Sequence, residues 1–582
     1  MPNLDPLQLY DQASAAIAAG DDTPQQHKKA VQALARAGAT ELALLLYNQY
    51  GMASLDDEDA LSLRGRLFKD KGLARGVAQG QKDLGTSADA YQHAYSLTKG
   101  TYSGINAATL FLLSGQPDRA TKIAREILKN ICPDPHEETA LERYYTKATL
   151  AEALLLVGKT DAAKTALNQA IALNPLGHVA HASTLKQFSL ILEAKQQDGT
   201  WLDAHRPPAI ACFAGRIYGF ENNHIISDQA LEQISRALIT HNVGTAYGAL
   251  AAGSDIIIAE ALLDHGGALH VVLPCSTEEF CQHSVIPFGD TWHERYLACL
   301  ARAQSVDVVT NDASMMDRIA VQLAAEVAMG RAVAEADSLA TRAIQFLLAP
   351  APNSLSEGFE KVWRDANRGL ETLTLADNLA WPAPPTQPSQ LIENQAQRQL
   401  ASMIFADFKG FGLLNDQQVA TVVKDVFPRL SDALAKMEDD LLYLNSWGDG
   451  IFAVFNSTTT AARAAIALQK QLLGMSLQDF GLPTDLTLRI GGHYGPITFS
   501  SDPITGRRGV FGSQIAYAAR IEPIAVPGSI LVSDAFAARL AISPPCDVNS
   551  TYVGKRSLRD IPGDVRLFAL TNHTDVAAKV PK

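Results

Sequence analysis

Three successive patterns predict a multidomain protein: a region of α-helical repeats, then a parallel α/β domain, then an α+β domain. From residue 1 to about 203 apolar residues recur at helical spacing without strand-like alternation. Between residues 206 and 350 short apolar runs that stop at glycine alternate with helix-length segments. From residue 398 to 572 two apolar runs end in carboxylates, Asp407 and Asp449. A chain of 582 residues also exceeds what one core organises.

In the first region the segment Asn106 to Ala120 matches Ala151 to Ala163 in shape: an apolar helix, a glycine turn at Gly115 or Gly158, then a helix opening with alanine. A weaker copy runs from Ala35 to Ala43. This resembles tetratricopeptide repeats, in which small residues let paired helices approach closely. The distance between the two glycines exceeds the usual period, so an inserted loop is expected around Cys132 to Glu138. An irregular helical bundle is the alternative. Either way the region reads as a scaffold for docking a protein partner or for sensing, without chemistry of its own.

In the second region Ile210 to Gly215 reads as a buried strand, Ile256 to His265 as a helix and Ala268 to Pro274 as the next strand. Strand, helix and strand at this spacing indicate a parallel sheet with helices on its faces. The turn Gly253-Ser254-Asp255 sits where such folds bind phosphate at a helix N-terminus. Together with Glu279-Phe280, Ser284-Val285 and Trp292 to Tyr296, the stretch resembles Rossmann-like nucleotide-sensing domains related to lysine-decarboxylase-like phosphoribohydrolases. The resemblance implies a ligand pocket with Gly215, Gly253, Ser254, Asp255 and Glu260 as candidates. The alternative is that the glycines only make tight turns and Glu260 caps a solvated face. No complete catalytic set accompanies them, which favours sensing over hydrolysis. Residues 351–397 read as a helical and Pro-rich linker. Its four prolines between 382 and 388 predict an extended spacer holding domains apart, followed by a short helix from Gln395 to Leu400.

The third region carries the chemistry. A strand ending in Asp407, a helix-length segment, and a second strand turning at Gly448-Asp449-Gly450 bring two carboxylates side by side. Paired hard oxygen donors suit Mg²⁺ or Mn²⁺ carrying a polyphosphate. Further on come Leu488 to Pro496 (Leu-Arg-Ile-Gly-Gly-His-Tyr-Gly-Pro), Val510 to Arg520, Pro527 to Ser533 and Leu558 to Pro562. In this order the landmarks resemble the catalytic domain of class III nucleotide cyclases. The resemblance implies a ferredoxin-like α+β fold with Asp407 and Asp449 as ligands of two metal ions. The backbone amides of Phe408, Lys409, Gly410 and Phe411 would lie around the β- and γ-phosphates of a nucleoside triphosphate. It further implies that Arg520 donates to the α-phosphate from the opposite protomer of a homodimer, the alternative being a surface ion pair with Glu522 or another acid, and that Arg559 replaces a phosphate-binding lysine while keeping its charge.

Three positions depart from that pattern. Asn445 stands where purine cyclases carry a base-reading Lys or Glu, Gly509 stands at its partner position, and Ala516 stands where a ribose-orienting Asn is usual. Ala516 and Arg520, four apart on a helix, share a face, yet only one can hydrogen-bond. The expected function is therefore a nucleotidyl cyclase forming a 3′,5′-cyclic nucleotide and pyrophosphate with an atypical base and ribose set. The alternatives are a pseudo-cyclase that binds nucleotide as a regulator and a repeat-based interaction adaptor.

A net charge of −13 argues against nonspecific binding to nucleic acid or anionic membrane. No apolar run reaches the length of a spanning helix, and the start Met1-Pro2-Asn3-Leu4-Asp5 lacks a signal pattern, so a cytoplasmic location is expected. The six cysteines are scattered without a Cys-x-x-Cys pair and read as reduced, mostly buried thiols.

Overall fold

The computed structural model describes residues 5–131, 139–215, 217, 228–310, 317–348, 355–366, 371–375 and 398–572. The expected loop at 132–138, the Pro-rich spacer at 382–388 and residues 395–397 of the expected lead-in helix lie outside them.

The N-terminal region is helical throughout: α1 (Pro6–Ala18), α2 (Pro24–Arg36), α3 (Thr40–Gln49), α4 (Glu58–Ala74), α5 (Val77–Thr98), α6 (Thr101–Leu113), α7 (Pro117–Asn130), α8 (Ala140–Leu156), α9 (Thr160–Leu173) and α10 (His178–Ala194). The internal similarity has a physical basis at its two glycines. Gly115 (φ 80°) and Gly158 (φ 83°) adopt the left-handed conformation that ends α6 and α8. In both turns the next amide reaches back five residues, Gln116 N to Phe111 O and Lys159 N to Leu154 O. This cap satisfies the last carbonyls of one helix and aims the chain into the next. Small residues allow the close pairing: a Cβ added at Gly80 would lie 2.0 Å from Gly72 O across the α4–α5 contact.

The second region alternates β1 (Ala209–Gly215), α11 (Asp228–Thr240), β2 (Val243–Gly248), α12 (Ser254–Asp264), β3 (Ala268–Leu273), α13 (Thr277–Ser284), α14 (Asp290–Arg302), β4 (Ser305–Val308), α15 (Arg318–Ser338), β5 (Ala343–Leu348), α16 (Leu355–Asp365) and β6 (Glu371–Leu375). The strands form one parallel sheet in the order β4-β3-β2-β1-β5-β6. The order changes direction beside β1, which makes the ends of β1 and β5 the topological switch point. The sheet runs past the expected limit at 350, because β6 pairs with β5.

The third region comprises β7 (Arg398–Lys409), α17 (Asp416–Thr421), α18 (Phe427–Ala435), β8 (Leu441–Trp447), β9 (Gly450–Phe455), α19 (Thr458–Leu473), β10 (Thr487–Ser501), β11 (Arg508–Phe511), α20 (Ile515–Ile521), β12 (Ile530–Ser533), α21 (Asp534–Ala541), β13 (Val548–Ser557) and β14 (Asp564–Asn572). The sheet order β13-β14-β12-β10-β7-β9-β8, with β11 paired to β10, contains the βαββαβ arrangement of a ferredoxin-like fold in β7 to β10. One expectation is corrected here. Arg398 to Leu400 are strand, paired with Pro496 to Thr498, and do not end a helix. The neighbouring strand supplies partners along the whole of β7, which overrides the weak local helical pattern.

His493 is buried in β10 between Ser533 Oγ (2.7 Å from Nδ1) and Gln514 Oε1 (2.9 Å from Nε2), with Tyr517 stacked on its ring. Burial pushes its pKa down to about 4. The unfolded chain, with a histidine pKa near 6.5, therefore binds a proton that the native state refuses as pH falls from about 6.5 toward 4. The expected loss from this group over that window is at most about 3 kcal/mol. Urea midpoints at pH 7 and pH 5 should differ more in the native chain than in His493→Gln.

The expectation that a spacer holds the domains apart is overturned. Helix α15 of the parallel-sheet domain lies directly on α21, with a Cβ added at Gly330 falling 2.0 Å from Ala538 O. Buried Glu326 accepts from Tyr494 Oη at 2.7 Å and meets Arg539 Nε at 3.3 Å. Arg331 bridges Asp307 of its own domain (2.8 Å) and Asp534 of the next (2.6 Å). Arg398 pairs with Asp317 at 2.9 Å. The N-terminal helices share a core with the same mixed sheet: Val31, Leu34, Leu44 and Leu67 pack with Ile521, Leu531, Leu567 and Ala569. Complementary apolar faces remote from the spacer decide this packing. Among the described residues no helix is long and apolar enough to cross a membrane.

Candidate active site

The centre of the site is made by two turns. β7 carries Asp407 near its C-terminal end, where Phe408 is buried and stacked on Phe427, and Gly410 (φ 93°) turns the chain into Phe411–Leu413. The β8–β9 hairpin closes through Gly448-Asp449, with Gly448 at φ 61°. That hairpin abuts Asp407, since a Cβ at Gly450 would sit 4.0 Å from Asp407 Oδ1. Burial and the neighbouring Asp407 charge both raise the pKa of Asp449, which marks the two carboxyls as close neighbours. Of the four expected phosphate-facing amides, Phe408 and Lys409 are the last strand residues and Gly410 and Phe411 begin the turn.

The group that lies against this pair carries no signal in the local sequence pattern. Arg489 faces Asp407 across the β7–β10 ladder, and its Nη2 lies 3.0 Å from Asp407 Oδ2. Its Nε lies 3.0 Å from Glu522 Oε1, an ion contact without the direction of a hydrogen bond, and its Nη1 donates to Pro523 O at 3.4 Å. Burial pushes the Glu522 carboxyl up to about 7; Arg489 opposes that rise, and Asp407 and Asp449 add to it. Arg489 stood within the quoted Leu-Arg-Ile-Gly run, and Glu522 two residues past Arg520. Only the packing of α20 on β10 joins them. An aromatic cluster, Phe405, Tyr443, Trp447 and Phe452, was also passed over, and Trp447 is largely exposed.

Arg520 and Arg559 converge on Asp560, at 3.2 and 3.4 Å. Asp560 occupies the left-handed region (φ 61°) in the β13–β14 turn, a conformation that Asp tolerates better than most residues. Among the described residues neither arginine pairs with Asp407 or Asp449. Ala516 is exposed one turn before Arg520 on α20. The Asn445 amide oxygen accepts from Ser446 N at 3.0 Å, turned back onto its own strand. Gly509 lies in β11 opposite Ser500, and a Cβ there would come within 2.9 Å of the Phe511 ring.

In the parallel-sheet domain Gly253 (φ 103°) precedes α12, and Ile217 bridges to it just beyond Gly215, the last residue of β1. Ser254 Oγ is buried and has no hydrogen-bond partner among the described residues. Asp255 accepts from Ala251 N at 3.2 Å, and burial pushes its carboxyl up to about 7. Glu260 stands apart from these four: its Oε1 accepts from Arg295 Nε at 2.8 Å in a contact between α12 and α14, about 9 Å along the helix from Ser254.

Two family models match the chain. Residues 393–572 match the adenylate and guanylate cyclase catalytic domain, and residues 6–111 match the tetratricopeptide repeats-sensor model. The chain thus carries a tetratricopeptide-type helical region at its N-terminal end and an adenylate/guanylate cyclase catalytic domain at its C-terminal end. Among curated proteins it is 27% identical over 149 residues to "Putative adenylate cyclase 3" of Rhizobium meliloti (strain 1021), covering 25% of this chain and 24% of that one. It is 42% identical over 59 residues to the "pH-sensitive adenylate cyclase MT1302" of Mycobacterium tuberculosis (strain CDC 1551 / Oshkosh), covering 10% of this chain and 15% of the other. The chain therefore spans about a quarter or less of the length of these relatives. Among solved structures, the guanylyl cyclase Cya2 aligns at 20% identity with a TM-score of 0.27, over 31% of this chain and 96% of that one. The adenylyl cyclase CyaB from P. aeruginosa aligns at 17% identity with a TM-score of 0.27, over 31% and 97%.

Proposed function

We propose that the chain is a nucleotidyl cyclase acting on the cytoplasmic nucleoside triphosphate pool and releasing a 3′,5′-cyclic nucleotide and pyrophosphate. The observation that carries this reading is the pairing of Asp407 and Asp449 at two abutting turns within a cyclase-type domain. Two adjacent carboxylates, with the Asp407 charge raising the cost of ionising Asp449, form a donor set for a hard divalent cation. Among the described residues no group of three or more His, Cys, Asp or Glu side chains is arranged to hold a metal. A two-carboxylate site suits Mg²⁺ or Mn²⁺ whose remaining ligands are phosphate oxygens and water. When bound, two such ions would acidify the attacking 3′-hydroxyl and offset phosphate charge.

The protein's own part is placement. Asp407 and Asp449 fix where the triphosphate lies, and the turn amides from Gly410 onward face its outer phosphates. Arg520 and Arg559 supply positive charge for the α-phosphate and the leaving pyrophosphate. Both arginines pair with Asp560, and among the described residues neither pairs with Asp407 or Asp449, which supports a complete site assembled from two chains as a twofold homodimer. Sedimentation of a monomer only, with nucleotide and Mn²⁺ present, would sink this assembly. The parallel-sheet domain, with Gly215 at the end of β1 and Gly253, Ser254 and Asp255 at the start of α12, serves as a nucleotide sensor, and the helical region docks a protein partner.

The exposed Ala516 methyl favours a second reading, a slow regulator that binds nucleotide and turns over little. These readings separate when the full-length protein is incubated with ATP, GTP, CTP and UTP plus Mn²⁺ and analysed by mass spectrometry beside Asp407→Ala. A cyclic product absent from the control supports the cyclase and names its base. Ala516→Asn, which restores a hydrogen-bonding group on the Arg520 face, is expected to raise turnover by about ten- to a hundredfold. An unchanged rate would show that ribose orientation does not limit this enzyme.

A further inference from the structure

We infer that Glu522 is a positioning residue for the metal pair: by sharing Arg489, it limits that guanidinium to a single hydrogen bond with Asp407 and leaves the remaining oxygens of Asp407 and Asp449 to a divalent cation. The inference rests on the cyclase reading of the site. Arg489 lies opposite Asp407 in the antiparallel ladder, where paired side chains share a face. Unshared, it would act as a permanent internal cation competing for the same carboxylate. The structure shows it divided: Nη2 donates to Asp407 Oδ2 at 3.0 Å, and Nε lies 3.0 Å from Glu522 Oε1 in an ion contact. In their ionised forms the three carboxylates outnumber the one guanidinium by two negative charges, a balance that favours divalent cations.

Backbone packing, more than side-chain reach, places Glu522. A Cβ at Gly491 of β10 would fall 2.3 Å from Glu522 N and 2.5 Å from Ala518 O, so α20 and the turn after it rest on bare strand. Glu522 is itself largely buried, at 9% exposure, which holds its carboxyl beside Arg489 and out of bulk water. The same seating fixes the end of the helix that bears Arg520. One glycine thus sets both the arginine of the site and the counter-charge behind its metal carboxylates.

The test is Mn²⁺ binding to the full-length chain without nucleotide, read from the electron paramagnetic resonance signal of the free ion. Asp407→Asn should abolish binding at the site. Glu522→Gln should weaken it about tenfold, the range seen when groups that orient metal ligands are removed. Glu522→Asp, which keeps the charge, should recover most of the loss. If Glu522 acts through Arg489, Glu522→Gln has no further effect in an Arg489→Met background. Wild-type affinity in Glu522→Gln, or a tenfold loss that persists without Arg489, overturns the inference while leaving the metal site standing. Wild-type affinity in Asp407→Asn overturns the site and the inference with it.

Discussion

Asp407→Ala is expected to lower cyclic-nucleotide formation by about three orders of magnitude or more while changing stability by less than about 1 kcal/mol. The two halves of this expectation have different physical origins. Asp407 is partly exposed, and its charge burdens Asp449, so removing it relieves a repulsion while forfeiting one ion pair with Arg489. These changes roughly cancel for the fold. For the reaction nothing replaces it: one carboxylate cannot hold two ions, and Arg489, still against Glu522, would bring its charge to bear on Asp449. Product formation by mass spectrometry with Mn²⁺, alongside a thermal melt, reads both halves. A loss of tenfold or less in a well-folded variant would mean that the carboxylate pair is not the chemical centre.

Gly330→Ala is expected to destabilise the protein by about 3 kcal/mol and to divide its unfolding into separate transitions. By helix propensity alone the change should stabilise α15 by about 1 kcal/mol. Packing reverses the sign. The new Cβ would stand 2.0 Å from Ala538 O, a backbone atom of α21 that cannot rotate away. Relief requires α15 to lift from α21, which pulls on the Glu326–Tyr494 hydrogen bond and on Arg331 between Asp307 and Asp534. Leaving such buried charges partly unpaired is costly, and that cost sets the size of the effect. Differential scanning calorimetry of the full chain is the measurement. A single transition at or above the native temperature would show that the domains tolerate separation at this point.

Much of the candidate site was legible because its residues are adjacent in sequence or separated by standard elements. Asp407 before a turn, Asp449 between glycines, and Arg520 four residues after Ala516 each announce a place through local pattern. Arg489, Glu522 and Asp560 were not legible in this way. Each is an ordinary charged residue whose meaning depends on a partner 33 to 82 positions away in the pairs Glu522–Arg489, Asp560–Arg520 and Arg489–Asp407. Glu260 shows the converse: a position attractive by its spacing from a glycine turn is engaged by Arg295 on a different helix.

The sequence by itself determined the local conformations: left-handed glycines that end helices, apolar runs that become strands, and turns that present carboxylates. These follow from backbone sterics and side-chain periodicity, which act over a few residues. Only the tertiary structure decided that the proline-rich spacer does not separate the domains, that β7 begins at Arg398, and that Gly330 and Gly491 are contact points. Those outcomes depend on which surfaces meet, and the free energy of burying one face against another is a property of the pair.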